Sequence, residues 1–205
     1  MKKEFDKVYQ FKISLRGIRP PIWRRIQVPS IYTFWDLHVA IQDVMEWEDM
    51  HLHEFRIAHP VTREKVRIGI PSKDAEYWGI KIIPEREERI AEWFSMENRE
   101  AEYIYDFGDN WIHKILLEKI IARERNVGYP RCISGKRASP PEDCGGVEGY
   151  YELLEALKDP NHEMHEEMIE WVGKDFDPEY FNPKEIVFRD PEKYWKNVKK
   201  YYMQE

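Results

Sequence analysis

The chain has 205 residues, 42% of them apolar, 14% aromatic and 35% charged, with a formal net charge of −7. That length fits one large domain, the eight tryptophans exclude a disordered composition, and the acidic balance argues against a surface given over to nucleic acid. No apolar run approaches the roughly 18 residues of a membrane span, and the opening MKKEFDK lacks the apolar centre of a secretory leader, so a cytoplasmic globular protein without a membrane partner is expected.

In chain order, Tyr9, Phe11, Ile13 and Leu15 alternate with Gln10, Lys12, Ser14 and Arg16, which predicts a half-buried strand over 8–16. Gly17 to Pro21 breaks it, and 22–28 reads as the return strand of a hairpin. Thr33 as N-cap with Asp36 three residues on predicts a helix start. Phe34, Leu37, Ile41, Val44 and Met45 then recur at helical spacing. An extended piece over 51–58, short strands over 65–70 and 78–83, and a polar helical stretch around 85–97 follow. Alternation over 102–107, a turn at Gly108, Asp109 and Asn110, and a long strand over 111–120 make a second hairpin. Residues 123–146 show little periodicity and read as a long loop, a feature often functional inside compact domains.

Three helices close the chain. The first, 147–158, turns Tyr150, Leu153, Leu154 and Leu157 inward; the second, 161–173, does so with Met164, Met168, Trp171 and Val172. The last, 190–203, is capped by Asp190 with Pro191 at its first position, and is expected to bury Tyr194, Trp195, Val198, Tyr201 and Tyr202. Strands early and helices late indicate an α+β fold. The expectation is a single domain, 1–205, with a mixed or antiparallel sheet and C-terminal helices. Its hairpin–helix–strand opening has the element order of a β-grasp, an analogy that carries no function.

Three segments combine reactive groups with stiff neighbours. In the first, WEDMHLHEF, an extended backbone puts His51 and His53 on one face, about 7 Å apart, where they can share a metal ion or flank a substrate. Such a pair also serves structural ends, capping a helix or bonding backbone. In the second, YDFGDNWIH, a two-residue Asp109-Asn110 loop would set Asp106 opposite His113, a carboxylate fixing an imidazole, whereas other loop lengths shift the register. The alternative is that Asp106 and Asp109 bond turn amides. The third segment runs from Arg131 and Cys132 to Glu142, Asp143, Cys144, Gly145 and Gly146. Here two glycines at a helix start can hold an anion, or the acids simply complement the helix dipole. Cys132 and Cys144 are too far apart for a CxxC pair, and whether they join each other is open. Residues 7–35 hold Lys7, Lys12, Arg16, Arg19, Arg24 and Arg25 and no acid. These arginines either meet an acidic or phosphate-bearing ligand or pair with acids of the same fold.

Taken together and in order, PPIWRR, WEDMHLHEF, YIYDFGDNWIHKI, YPRCISGKRASPPEDCGG and DFDPEYF resemble the plasmid pRiA4b ORF-3-like family, from about Tyr9 to Phe188. The resemblance implies an α+β domain of bacteria and archaea, sometimes carried on plasmids and mobile elements, with no established activity. A resolvase label attached to some members does not fit: Ser14 lies in a hairpin strand and no helix-turn-helix unit follows. The leading expectation is a binding or accessory module whose polar pocket is built from His51, His53, Asp106, His113, Arg131, Glu142, Asp143 and Cys144. The alternative is a metal-dependent hydrolase, with phosphodiesters as a candidate substrate class, in which His51, His53 and His113 hold zinc or manganese and Asp106 or Glu142 activates water. A third reading is nucleic-acid binding through Arg16, Arg19, Arg24 and Arg25.

Overall fold

The first hairpin forms as its alternation dictates: β1 (Lys7–Leu15) pairs antiparallel with β2 (Trp23–Pro29). In this computed structural model, which describes residues 4–202 without the side chains of Asp74, Tyr201 and Tyr202, that hairpin seeds one large sheet. The capping box is present, with Thr33 Oγ1 accepting the Asp36 N–H and the Asp36 carboxylate accepting the Thr33 N–H. It starts α1 (Phe34–Met45), which ends where Glu46 adopts a left-handed conformation at φ 57°.

The remaining strands are β3 (His53–Ala58), β4 (Lys65–Gly69), β5 (Ile82–Pro84), β6 (Glu100–Tyr105), β7 (Trp111–Ala122) and β8 (Arg131–Lys136). Among the described residues they make an eight-stranded sheet in the order β5-β4-β3-β6-β7-β1-β2-β8, mixed because only β4 and β5 run parallel. The hairpin–helix–strand order is therefore present, but the β6–β7 hairpin lies between β1 and β3 in the sheet. Strand β8 falls inside the stretch expected to be a loop; it pairs with β2 although its own sequence scarcely alternates. The expected helix over 85–97 shrinks to the single turn α3 (Ile90–Trp93), and a second short helix, α2 (Lys73–Tyr77), precedes β5.

One face of the sheet carries the core. Tyr9, Phe11, Ile13 and Leu15 of β1, Ala101, Tyr103 and Tyr105 of β6, and Trp111, Ile115 and Leu117 of β7 point to it and meet the apolar stripe of α1. Three polar side chains share this buried face, Arg24, His53 and His113. The other face is polar and laced with ion pairs such as Arg25–Glu118 and Arg16–Glu102.

The chain closes with α4 (Gly146–Lys158), α5 (His165–Val172) and α6 (Pro191–Tyr202). Tyr194 and Trp195 of α6 pack against Trp35 of α1. Trp171, expected inward, is 47% exposed. The expected burial of Tyr201 and Tyr202, and the extension of the last helix to residue 203, lie outside the described residues. No described helix is long and apolar enough to cross a membrane.

Candidate functional site

Strand β3 starts only at His53, so residues 50–52 leave the sheet and the two histidines of WEDMHLHEF diverge. Tyr105, the last residue of β6, organises this departure. Its hydroxyl accepts the N–H groups of Met50 and His51 at 2.9 and 3.3 Å and donates to the Glu142 carboxylate. Burial, then the Glu142 carboxylate, pushes the Tyr105 phenol up, so it stays a donor. The other Glu142 oxygen accepts the Glu48 N–H at 2.7 Å, and the Trp47 indole donates to the Pro140 carbonyl at 2.8 Å. The 140–143 turn is thereby fastened over the start of the 46–52 loop.

At this junction His51 Nε2 lies 2.8 Å from Asp143 Oδ1 and 3.7 Å from Asp106 Oδ2. One donor atom from each of the three residues lies within 4.8 Å of the others. Despite these approaches, His51 Nε2 has no hydrogen-bond partner among the described residues. Asp106, in a left-handed conformation at φ 54°, uses its second oxygen to accept the N–H groups of Gly108 and Asp109. Both uses expected of Asp106 thus coexist: one oxygen holds the turn and the other faces an imidazole.

That imidazole is not His113. Strands β6 and β7 pair Tyr105 with Trp111 and Tyr103 with His113, so the connecting loop has five residues, 106–110, and not the two that would set Asp106 opposite His113. His113 is consequently buried, its Nδ1–H donating to the Tyr103 carbonyl at 3.3 Å beside the Trp47 ring. Burial pushes its pKa down to about 4. His51, His53 and His113 therefore occupy three separate places, and the expected three-histidine set is not assembled.

The anion cradle at Gly145 and Gly146 is likewise filled from within, because the Gly145 N–H donates to Asp109 Oδ2 at 3.1 Å. Cys144 is half-buried, and burial followed by the Asp109 charge pushes its thiol up to about 12. Both it and Cys132 are free. Arg131 is held elsewhere, by Gln27 of β2 and by Glu124. The basic stretch is also committed to the fold: Arg25 is bidentate on Glu118, Arg16 meets Glu102 at 2.8 Å, and Arg24 is fully buried. Among the described residues, Arg19 contributes its backbone, to the Tyr151 hydroxyl.

A second cluster, which joins His53 to residues that the sequence did not single out, lies under α1. The rings of His38 and His53 stack 3.5 Å apart and 4° from parallel, with both side chains at 0% exposure. His38 Nδ1 meets the Tyr103 hydroxyl at 2.9 Å and its Nε2 lies 3.1 Å from Asp49 Oδ1; His53 Nε2 meets Glu85 Oε2 at 2.7 Å. Gln42 donates to the Tyr103 hydroxyl, and the Tyr194 hydroxyl of α6 donates to Asp49. Burial pushes the His38 pKa down; for His53 burial acts the same way, but the Glu85 carboxylate outweighs it and the pKa rises. The available signal was His38 itself, a polar residue four positions after Phe34 on the apolar stripe of a helix.

A mixed eight-stranded sheet with helices on its core face, and reactive residues gathered where three sequence motifs meet, define an α+β protein of a particular family. The family model described as "Plasmid pRiA4b ORF-3-like protein" matches residues 7–185, and the chain belongs to that family. The chain is 36% identical over 174 residues to "Uncharacterized protein y4hQ" of Sinorhizobium fredii, covering 83% of this chain and 84% of the relative. It is also similar to the crystal structure of "Protein of Unknown Function MM3350" from Methanosarcina mazei Go1. There the identity is 53% and the TM-score 0.84, over 90% of this chain and all of that one.

Proposed function

We propose that this chain is a binding module that takes a divalent cation, zinc or manganese, on His51, Asp106 and Asp143. The observation that carries the reading is His51 Nε2, held 2.8 and 3.7 Å from two carboxylates yet without a hydrogen bond. Donors around one zinc ion stand about 3.4 Å apart, from bond lengths near 2.0–2.2 Å in a tetrahedron. Small rotations of these three side chains suffice to reach that spacing. A cation also offsets the crowding of Asp106, Asp109, Glu142 and Asp143 at one junction. Asp143, 68% exposed at its side chain, keeps the ion open to solvent, where a ligand with oxygen donors completes its shell. This accommodates an acidic or phosphate-bearing partner through the metal instead of through the committed arginines.

The same openness favours metal-assisted hydrolysis as the second reading, since a metal-bound water is acidified. Glu142 fits the base role poorly there, because the Tyr105 hydroxyl and the Glu48 N–H both bind it. A cytoplasmic setting fits the two free thiols. A link to mobile elements rests on the plasmid in the family's printed name. The test is metal titration of chelator-stripped protein, paired with elemental mass spectrometry of protein purified without chelator. His51→Ala and Asp143→Asn should each remove one bound equivalent with the melting temperature unchanged. Full binding by both variants refutes the reading.

A further inference from the structure

Helices α4 and α5 face each other across a groove of about 650 Å³, a volume within the range of ligand sites. Its floor is apolar. Leu153 of α4 contributes to it, together with a stripe of Met164, Met168 and Trp171 that runs from the N-cap of α5 along the helix. An amphipathic helix ordinarily spends such a stripe on a core. Here α5 has no buried residue at all, and Trp171 near its end is 47% exposed. The walls are fixed to each other, because His165 Nδ1–H donates to the Ala156 carbonyl at 2.7 Å and ties the start of α5 to α4.

The rim is acidic. Glu152 and Glu155 of α4 and Glu163 and Glu167 at the start of α5 are exposed, and none has an ion pair among the described residues. Residues 142–173 hold ten Asp and Glu against one cation, Lys158. Carboxylates alone make an ordinary solvated face. Four of them bracketing exposed methionine and tryptophan select a partner that is cationic and apolar at once. We infer that this groove docks a basic amphipathic peptide segment of a partner protein, its apolar side chains on the floor and its Lys or Arg side chains on the rim. Flexible methionines adapt to such a helix-in-groove mode. The eight residues of α5 span about 12 Å, which matches about two turns of a docked helix. Like charge turns away nucleic acid and anionic lipid. A second copy of this chain fits poorly: α6 carries Lys193, Lys196 and Lys199, but its Tyr194 and Trp195 are already spent on Trp35. Asp143 lines the groove and also faces His51, so the groove adjoins the open metal site. Docking draws on the floor and rim and needs no ion there.

The test is calorimetric titration of the full chain, with chelator present to keep the metal site empty. The probe is a synthetic helical peptide of leucine and lysine, about 14 residues or four turns long, with one apolar face. Saturable binding is expected, weakened about tenfold between about 0.05 and 0.5 M salt as the rim charges are screened. The double variant Glu163→Gln, Glu167→Gln should also lose about tenfold in affinity. Trp171→Ala, at an exposed position, should keep the fold by circular dichroism and lose about thirtyfold, as an aromatic anchor does. A peptide with serine in place of leucine keeps the charge and should not bind. No saturable binding, equal affinity for the serine peptide, or unchanged affinity in a folded Trp171→Ala protein overturns the inference. A concentration-dependent dimer that Trp171→Ala dissolves would assign the groove to a second copy and overturn it as well. Metal titration of the His51→Ala protein is untouched by these outcomes, so the two readings fail separately.

Discussion

Arg24 Nε donates to the Val44 carbonyl across 2.7 Å, tying the second strand of the opening hairpin to the last turn of α1. The same guanidinium donates to the carbonyls of Trp23 and Lys136 and to Ser139 Oγ, and it lies 3.8 Å from the centre of the Phe181 ring. Burial lowers its pKa only to about 10, so it remains charged at neutral pH. Arg24→Ala should therefore cost about 3–5 kcal/mol, since it opens a cavity and strips several buried acceptors of their donor at once. Arg24→Lys, with a point charge in place of a planar fork, should cost about half as much. Urea unfolding measures both; a loss below about 1 kcal/mol for the alanine variant would show that the side chain is dispensable to the fold.

His113 makes the protein acid-sensitive through the core. Its folded pKa is lowered to about 4 by burial, with the Arg24 charge adding to the effect, against about 6.5 when unfolded. Between those values the unfolded chain binds a proton that the folded one refuses. The stability contribution is thus fully present above about pH 6.5 and is lost as pH falls toward 4, by about 3 kcal/mol in all. His38 pushes in the same direction and His53 in the opposite one. His113→Gln keeps a donor for the Tyr103 carbonyl and removes the titration. Its stability between pH 4 and 6.5 should fall less steeply than the wild type's, by about 1.4 kcal/mol per pH unit. Parallel pH profiles for the two proteins would refute the assignment.

The sequence revealed the elements whose pattern is local. The alternation of β1, the Thr33–Asp36 capping box and the β6–β7 hairpin each follow from neighbours a few residues apart. It also indicated that the motif segments meet, as His51, Asp106, Glu142 and Asp143 do. What it did not reveal depends on partners distant in the chain. β8 is a strand because β2 offers an unpaired edge, and its residues alone do not call for one. His51 and His53 separate because Tyr105, far along the chain, draws residues 50 and 51 off the sheet. His113 missed Asp106 because a five-residue loop sets a different register from a two-residue one. His38, Asp49 and Glu85 come from a helix, a loop and a strand end, and only the packing of α1 on the sheet joins them.

Gly146 couples α4 to the open site. It adopts φ +70°, and a Cβ there would sit 2.6 Å from the Asp109 carbonyl oxygen. Gly146→Ala should cost about 2–3 kcal/mol, combining left-handed strain with a clash against backbone. The displaced turn is the one that Asp106 holds through the Gly108 and Asp109 amides. Metal affinity at His51 should therefore weaken along with stability. Gly79 provides the comparison, with φ +68° and nothing within 4 Å of an added Cβ. Gly79→Ala should cost only about 1 kcal/mol and leave metal binding unchanged. Equal effects from the two substitutions would show that the contact with Asp109 is immaterial.

The two thiols should be slow nucleophiles. Burial is the main cause in each case, raising Cys132 to about 11 and Cys144 to about 12, against about 8.5 for a free cysteine. The thiolate, which is the reacting form, is then scarcer at neutral pH by roughly three-hundredfold at Cys132 and three-thousandfold at Cys144. The Asp109 charge beside Cys144 is the second contributor there. Asp109→Asn should thus quicken Cys144 while leaving Cys132 unchanged. Time courses with an aromatic disulfide reagent, run separately on Cys132→Ser and Cys144→Ser proteins, resolve the two sites. A Cys144 that reacts as fast as free cysteine in the folded protein would contradict its burial and admit a catalytic thiol at the junction.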